Sequence, residues 1–339
     1  MVGFGNAGRE FCRLLLQKQA ELQDEYGYNI LITDIATKSK GTLCNKKGID
    51  LVRALMEVET KGKFAVDNPE AVQKDSIRTI KESGADVVVE LSTLSIKDGQ
   101  PAITHIEEAF ASGKHVITAN KGPIAWDYKR LKGVAGTKGL QLLYETTVMD
   151  GTPVFNLVKE TLPGCKVIGF KGILNSTTNF ILEEMEEGKS FEDALAEAQR
   201  RGFAEADPSM DIDGWDAAAK TAAIVNAIMG GEITPMTVHR TGIGHLRQKD
   251  IAAAKKEGKK IKLLCEGYRE DGEIKGRVYL RAFEQKDVFG NIDSTSSILS
   301  VTTDLMGEIC ILERNPEIQQ TAYGIYSDLI TLMKRLELK

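Results

Sequence analysis

The sequence predicts an α/β protein in which a doubly wound, mostly parallel sheet is followed by a second, α+β domain. Three observations support this. A glycine-rich turn opens the chain at residues 3–8, strand-like and helix-like segments alternate through residue 145, and the pattern changes after residue 154. At 339 residues the chain is long enough for two domains, each with its own core.

The first domain is predicted from hydrophobic periodicity. Phe11, Leu14 and Leu15 recur at helical spacing among charged residues, and the run ADVVVEL at 85–91 suits a strand that is buried on both faces. The predicted helices lie at 8–25, 68–83 and 102–112, and the predicted strands at 29–35, 85–91, 115–118 and 140–144.

The second domain mixes helices and strands without regular alternation. Helices are predicted at 175–187, 191–201, 217–229 and 321–336, and strands at 165–174, 261–268, 277–283 and 297–303. We therefore predict a dinucleotide-binding domain at 1–150, completed by the C-terminal segment 310–339. A substrate-binding and dimerisation domain would occupy 151–309.

Composition narrows the class of protein. The net charge of −5 argues against nucleic acid or an anionic membrane as the main partner, since both require a basic surface. An apolar run of about 18 residues and an export leader are both missing, so we expect no membrane association. The five cysteines are scattered, which is typical of reduced thiols in a cytoplasmic protein.

The segment GFGNAG satisfies the dinucleotide fingerprint G-x-G-x-x-G, and an amphipathic helix follows it directly. An ordinary glycine-rich turn would also explain the six residues, which are Gly3, Phe4, Gly5, Asn6, Ala7 and Gly8. Only two residues precede Gly3, whereas a first strand normally needs about five. Either the true start lies upstream or the central strand is unusually short.

The choice between NAD and NADP should depend on the end of the second strand. An acidic side chain there accepts from the ribose hydroxyls, while basic side chains bind the additional phosphate of NADP. Here Asp34 comes early, and Lys38 and Lys40 follow it. If these lysines have a function, they favour NADP, although a solvated charged loop explains them as well.

An acidic cluster lies between residues 205 and 220, where five carboxylates and one lysine occur within sixteen residues. Asp216 and Lys220 are four residues apart in an alanine-rich segment and therefore share one helix face. A solvated loop and a surface ion pair would explain the cluster structurally. Alternatively, carboxylates suit the ammonium group of an amino-acid substrate, and a lysine can stabilise negative charge on a reacting oxygen.

Several segments together resemble the homoserine dehydrogenase family, in its short form without a regulatory domain. They occur in the family's order: GFGNAG, TANK at 118–121, ETTVMDGTP at 145–153, GILNSTTNFIL at 172–182 and EADPSMDIDGWDAAAK at 205–220. The resemblance covers residues 1–230 well and the remainder loosely.

This resemblance implies hydride transfer between a nicotinamide cofactor and L-aspartate 4-semialdehyde or L-homoserine, in threonine and methionine biosynthesis. It implies Lys220 and Lys121 as catalytic lysines and Glu205 and Asp216 as substrate ligands. Asn175 and Thr177 join the substrate ligands, although both could simply cap a helix. Further cofactor contacts are expected at Lys38, Ser92, Thr93 and Asn120. A homodimer is expected from the resemblance alone.

The loop ETTVMDGTP resembles a segment that wraps a monovalent cation, sodium or potassium, in this family. The implied ligands are Glu145, Val148, Asp150 and Thr152, although a structural turn explains these residues equally well. Family members usually carry a small residue where Asp150 stands, so an additional carboxylate could alter the cation preference.

Two departures from the family pattern stand out, and the second of them concerns the cofactor wall. Ser176 replaces a glycine, and the segment 313–320 contains no glycine where a glycine-rich loop is usual. Two alternatives therefore stand beside homoserine dehydrogenase: a dehydrogenase for another amino aldehyde, and a non-catalytic paralogue that acts as a sensor.

Overall fold

A computed structural model describes residues 1–336. In chain order the helices are α1 (Asn6–Tyr26), α2 (Leu51–Lys61), α3 (Ser76–Glu82), α4 (Ala102–Ala111), α5 (Lys121–Thr137), α6 (Val154–Asn156), α7 (Ser176–Glu186), α8 (Phe191–Arg200), α9 (Ser209–Ile212), α10 (Trp215–Ile224), α11 (Gln248–Lys256) and α12 (Ile318–Leu336). The strands are β1 (Asp34–Ala36), β2 (Thr42–Cys44), β3 (Ala71–Val72), β4 (Val87–Glu90), β5 (His115–Thr118), β6 (Leu142–Leu143), β7 (Val167–Ile173), β8 (His239–Arg240), β9 (Lys259–Glu270), β10 (Glu273–Glu284), β11 (Ser297–Thr303) and β12 (Gly307–Glu313).

The chain divides into two compact units. The first comprises Met1–Pro123, Asp127–Pro153 and the segment from Glu317 onward, and the second comprises Ile124–Trp126 and Val154–Pro316. The return to the first unit therefore begins near Glu317 rather than at residue 310. The predicted boundary falls inside β12, which pairs with β11 along its whole length and so belongs to the second unit.

The sheet of the first unit is parallel where β4, β5 and β6 pair. Between β1 and β4 the central strand is reduced to Val2, which bridges Ala36 and Glu90 in the parallel sense. The Val2 amide donates to Val89 O at 2.8 Å and the Leu91 amide donates to Val2 O at 2.7 Å. Val2 thus occupies the central position between two parallel neighbours, and the predicted α/β class is confirmed.

Two predicted elements of this unit are wrong. The strand predicted at 29–35 begins only at Asp34, because Ile30 and Ile32 pack against the core without pairing in a sheet. The helix predicted at 68–83 is confined to α3, whose first turn is capped by the Asp75 carboxylate accepting from the Arg78 amide.

Helix α12 completes the first unit by packing on α1. Phe11 and Leu15 of α1 share one buried cluster with Ile325 and Leu329 of α12. This helix was predicted at 321–336 and starts slightly earlier. Within residues 1–336, no helix combines the length and the apolar character needed to cross a bilayer.

The second unit contains a six-stranded sheet with the order β12-β11-β7-β9-β10-β8. Its pairs are antiparallel except for β8 and β10. Two helices lie against β9. From α10 the carbonyl of Ala217 accepts from the Cys265 thiol, and from α7 the Asn179 side-chain oxygen accepts from Lys262 Nζ at 2.9 Å. These contacts fix the two helices that carry the predicted substrate ligands.

Candidate active site

The three glycines of the fingerprint have different structural roles. Gly3 adopts φ +100°, and a methyl group there would overlap the carbonyl of Leu91. A methyl group added at Gly8 would lie 3.2 Å from the Gly3 carbonyl oxygen. The glycine therefore permits helix α1 to pack closely against the turn. At Gly5 an added methyl would meet no heavy atom of residues 1–336 within 4 Å. This open space lies at the N-terminus of the 21-residue helix α1.

This arrangement fits a dinucleotide. The first glycine makes the turn, the second leaves space for the pyrophosphate, and the third allows helix packing. Gly5 forms the N-cap without a side-chain hydrogen bond, so backbone N–H groups of the first turn are available to an anion. Phe4 is an exception among the six predicted residues, since its ring is buried in the core 5.4 Å from that of Phe64 and only its backbone faces the turn.

The ends of β4 and β5 form the next part of the predicted cofactor site. Asn120 is buried and its side-chain amide donates to the carbonyl of Ser92 at 3.0 Å, which joins the two strand ends. The Ser92 hydroxyl is buried and has no hydrogen-bond partner within residues 1–336, as expected where a ligand supplies one. Thr93 is exposed beside it, and Lys121 is the first residue of α5.

The end of β1 carries lysine rather than a carboxylate. The strand ends at Ala36, and the Thr37 hydroxyl donates to Gly41 O to close a tight turn that holds Lys38 exposed. The Asp34 carboxylate lies at the beginning of the strand and accepts from the hydroxyls of Thr33 and Ser83. It is thus engaged in structural hydrogen bonds.

In the second unit two predicted substrate ligands, Asn175 and Asp216, lie beside the predicted catalytic Lys220. The Asn175 side-chain amide donates to Asp211 Oδ1 at 2.7 Å and to Asp216 Oδ2 at 3.0 Å. Its oxygen accepts from the Thr178 amide and caps α7, so the same side chain caps the helix and contacts both carboxylates. Lys220 Nζ donates to the carbonyl of Leu174 at 2.6 Å and lies 3.6 Å from Asp216 Oδ2.

The other two predicted substrate ligands are placed differently. The buried Thr177 hydroxyl donates to the carbonyl of Phe203 at 2.6 Å and so holds the loop that carries Glu205. Glu205 is exposed, and Gln199 Nε2 donates to its backbone carbonyl at 3.0 Å. Its carboxylate does not contact Asn175, Asp216 or Lys220 among the described residues.

Asp211 lies in the acidic segment 205–220 but is not among the substrate ligands that the family resemblance implies. The structure places it in the cluster, where burial and then the neighbouring Asp216 carboxylate raise its pKa above the usual value. Its partner Asn175 lies 36 residues away in sequence. The only sequence signal was the density of carboxylates between residues 205 and 216.

The loop 145–153 packs against the start of α12. The Thr321 hydroxyl donates to Asp150 Oδ1 at 2.6 Å, and Asp150 has φ +44°. The Glu145 carboxylate is buried, and the Glu145 amide donates to the buried Asp328 carboxylate at 2.9 Å. Val148 is buried, and the Thr152 amide donates to Met149 O in a turn.

The backbones of the loop 145–153 and of helix α12 approach each other closely at Gly151. This glycine lies in the loop, whereas the family pattern leads one to expect a glycine in the segment 313–320. A methyl group on Gly151 would overlap the carbonyl of Gln320, so α12 docks closely although the segment 313–320 has no glycine. Within residues 1–336, no three His, Cys, Asp or Glu side chains converge as a metal site.

Comparison with known proteins identifies the family. A family model described as homoserine dehydrogenase matches residues 153–330, and one described as homoserine dehydrogenase, NAD binding domain, matches residues 3–145. The similarity thus continues beyond residue 230. The homoserine dehydrogenase of Methanocaldococcus jannaschii is 38% identical over 331 residues, which cover 97% of this chain and 96% of that protein.

Two further similar proteins support membership of the same family. An NAD(+)-dependent homoserine dehydrogenase of Pseudomonas canavaninivorans is 33% identical over 331 residues, covering 97% of this chain and 94% of the relative. The crystal structure of a putative homoserine dehydrogenase from Archaeoglobus fulgidus superposes with a TM-score of 0.86 at 33% identity, covering 98% and 97% of the two chains. The fold, the glycine turn and the whole-length similarity together show that this chain belongs to the homoserine dehydrogenase family of nicotinamide-dependent oxidoreductases.

Proposed function

We propose that the protein interconverts L-aspartate 4-semialdehyde and L-homoserine by hydride transfer, with the Asn175 cluster as the substrate site. One observation carries this assignment. Asn175 and the group Asp211, Asp216 and Lys220, which lie 36 or more residues apart in sequence, form one connected cluster of amide, carboxylates and ammonium in a member of this family.

The cluster suits an amino-acid substrate. The carboxylates of Asp211 and Asp216 attract its ammonium group, and charge-assisted hydrogen bonds of this kind are stronger than neutral ones. The substrate carboxylate requires donors, which the N-terminus of the 11-residue helix α7 beside Asn175 can supply. Glu205, which is exposed in the loop held by Thr177, is proposed as a further substrate ligand.

Lys220 is proposed as the proton donor for aldehyde reduction. A bound nicotinamide cofactor supplies the hydride in this direction, and the aldehyde oxygen then gains negative charge. Lys220 holds a proton at Nζ because Asp216 and the Leu174 carbonyl both stabilise the ammonium form. Donation from Nζ to the alkoxide oxygen completes the hydroxyl group of homoserine, and the reverse transfer serves oxidation. Lys121, on the first unit, is proposed as the second catalytic lysine.

NADP is proposed as the preferred cofactor. The turn after β1 presents Lys38 with no carboxylate at the end of the strand, and Asp34 is engaged elsewhere. A lysine ammonium suits the 2′-phosphate of NADP, whereas a ribose hydroxyl would favour an acidic side chain. The relative from Pseudomonas canavaninivorans is named as NAD(+)-dependent, so a preference for NADP would distinguish this protein from that relative.

A monovalent cation is proposed at the loop 145–153, with Glu145, Val148, Asp150 and Thr152 as its surroundings. The loop supports it by its composition, since the carboxylates of Glu145 and Asp150 and the backbone carbonyls between them are oxygen atoms of the kind that such an ion prefers. The ion would be held largely by hard oxygen atoms of this loop. Titration of activity with sodium and potassium chloride tests this assignment, with choline chloride as the ionic-strength control.

A homodimer and a cytoplasmic location are also proposed. Strand β12 is an edge of the six-stranded sheet, and Leu305 and Met306 at the turn before it are 71% and 59% exposed, an arrangement that suits coverage by a second copy. All five cysteines are unpaired thiols, which suits a reducing compartment. Light scattering after gel filtration tests the oligomeric state.

The substrate assignment is tested by oxidation of a series of amino alcohols at saturating NADP. L-homoserine should be oxidised with the highest kcat/KM, ahead of L-serine, which is one carbon shorter, and 5-hydroxy-L-norvaline, which is one carbon longer. A preference for either neighbour would instead support the alternative of a dehydrogenase for another amino aldehyde.

A further inference from the structure

A buried carboxylate lies directly beneath the proposed cofactor site. Glu90 is the last residue of β4 and its side chain is 0% exposed. Its Oε1 accepts from the Ser92 amide at 3.1 Å and from His105 Nδ1 at 3.2 Å, and the Thr118 hydroxyl is shared between Glu90 O at 3.1 Å and Glu90 Oε2 at 3.3 Å. A fully buried carboxylate is costly unless such bonds compensate for the lost hydration.

His105 connects this carboxylate to a second helix. The imidazole comes from α4, is nearly buried, and contacts the Ser76 hydroxyl through Nε2 at 2.8 Å. Because a carboxylate only accepts hydrogen bonds, the Nδ1 atom that faces Glu90 carries the hydrogen. The ring therefore stands between Ser76 of α3 and the carboxylate of Glu90, with both nitrogens engaged.

The network closes at the two strand ends. The Thr118 hydroxyl accepts from the Asn120 amide at 3.0 Å, and the Asn120 side chain donates to Ser92 O at 3.0 Å. Both the N–H and the carbonyl of Ser92 are thus fixed, one by Glu90 and the other by Asn120. The Ser92 hydroxyl, which has no partner within residues 1–336, projects from this fixed backbone.

We propose that Glu90 and His105 are positioning residues for the nicotinamide cofactor, acting through the backbone of Ser92. In parallel α/β sheets, ligands bind at the carboxyl ends of the strands, and Glu90 and Thr118 end β4 and β5. His105 fixes the Glu90 carboxylate, which in turn fixes the Ser92 amide and the direction of its hydroxyl. This inference rests on the proposed use of a nicotinamide cofactor.

Two substitutions of His105 separate positioning from packing. The amide of Asn in His105→Asn lies near the former Nδ1 and can still donate to Glu90, whereas the amide of Gln in His105→Gln lies near the former Nε2 and keeps only the Ser76 side. Both variants lose the ring, and their Tm values should fall by similar amounts. The dissociation constant for NADPH should rise about tenfold in His105→Gln and stay close to the wild-type value in His105→Asn.

The binding measurement uses NADPH fluorescence without substrate, so it does not depend on turnover. At saturating NADPH, kcat with aspartate 4-semialdehyde should be retained in His105→Gln, while kcat/KM for NADPH falls together with affinity. Glu90→Gln should also weaken binding. The matched control is Glu57→Gln, since Glu57 is another buried carboxylate of this unit that accepts a backbone amide, that of Ala65, and that has no contact with Ser92.

The outcomes are distinct. If wild-type protein binds NADPH and His105→Gln binds it equally well, the positioning role is overturned while the proposed function stands. Equal weakening in His105→Asn and His105→Gln, or in Glu57→Gln and Glu90→Gln, would show a general packing effect and would also overturn it. Failure of the wild type to bind NADPH or NADH would overturn both proposals.

Discussion

Lys220 Nζ donates to the carbonyl oxygen of Leu174 at 2.6 Å, which ties the proposed proton donor on α10 to the end of β7. The side chain is 18% exposed, and the Asp216 carboxylate lies 3.6 Å from it. The ammonium group is thus held in place by the protein before any substrate binds. Preorganised charge of this kind contributes to catalysis because no reorganisation is needed during the reaction.

Removal of this group should affect chemistry far more than folding. Lys220→Ala should lower kcat by about 100-fold or more, since general acid catalysis contributes at least that much. The NADPH dissociation constant should not change. The control is Lys189→Ala, which removes an ammonium paired with Glu184 elsewhere in the second unit. Normal turnover by Lys220→Ala would rule out its proposed role.

Alanine substitutions at two fingerprint glycines, Gly5 and Gly3, should have different effects on cofactor binding and on stability. Gly5→Ala should fold normally because its methyl enters open space and its φ of −78° suits alanine, yet cofactor affinity should fall about tenfold or more through loss of pyrophosphate approach. Gly3→Ala should destabilise the fold itself, since its φ of +100° alone costs about 1–3 kcal/mol.

Thermal unfolding and NADPH titration of both variants check this contrast. Gly133→Ala serves as control, because this glycine lies within α5 with open space around it, and alanine there should stabilise by up to about 1 kcal/mol. Wild-type cofactor affinity in Gly5→Ala would show that the open space is not the pyrophosphate site.

The lysine after β1 should set cofactor preference. Lys38→Ala should raise the KM for NADPH about tenfold, the expected loss for one charge-assisted hydrogen bond to phosphate. The KM for NADH should stay unchanged, because NADH lacks that phosphate. Initial rates with both cofactors measure this, and exposed Lys63→Ala is the control. An equal rise in KM for both cofactors would show that Lys38 does not bind the 2′-phosphate of NADPH.

The raised pKa of Asp211 predicts a pH-dependent cost to stability. Between the usual aspartate value of about 3.9 and the raised folded value, the folded state binds more protons than the unfolded state. Stability is therefore lost as pH rises through this window. Asp211→Asn keeps an oxygen acceptor for Asn175 without the charge, so it should unfold at a higher temperature than wild type at neutral pH.

Thermal scans from pH 4 to pH 8 test this prediction, and the difference in Tm should shrink toward the acidic end. Asp207→Asn is the matched control in the same acidic segment. Hydrogen bonds from the Ser209 hydroxyl and amide lower the pKa of this exposed carboxylate, so its removal should not stabilise the protein at neutral pH. A lower Tm for Asp211→Asn across the range would contradict the account. The same variant should raise the KM for L-homoserine, because the substrate ammonium loses a charged partner.

The fold could be predicted from sequence where the hydrophobic pattern was strong. Helix α1 and strands β4 and β5 were identified from amphipathic or continuous apolar runs. Helix α5 was missed because it is apolar on several sides at its start and contains Gly133 and Gly136, so helical periodicity is weak. Residues 310–313, the end of strand β12, were assigned to the wrong unit because the position of this strand depends on pairing with β11, which the sequence pattern does not reveal.

The candidate site was harder to predict than the motifs that form it. The spacing of Asp216 and Lys220 was readable as one helix face. The contact between Lys220 and the Leu174 carbonyl could not be predicted, since a backbone acceptor leaves no signal in the residue type. Glu90 and His105 were also missed, because a polar residue at the end of an apolar run resembles an ordinary strand end until the tertiary contacts are known.

The most direct test of the central claim is oxidation of NADPH and NADH by the purified protein with L-aspartate 4-semialdehyde, measured alongside binding of both cofactors. The account predicts turnover with a lower KM for NADPH than for NADH, and loss of turnover without loss of binding in Lys220→Ala. Cofactor binding without turnover of this aldehyde would contradict the proposed substrate. Absence of both binding and turnover would contradict the assignment as a dehydrogenase and favour the non-catalytic alternative.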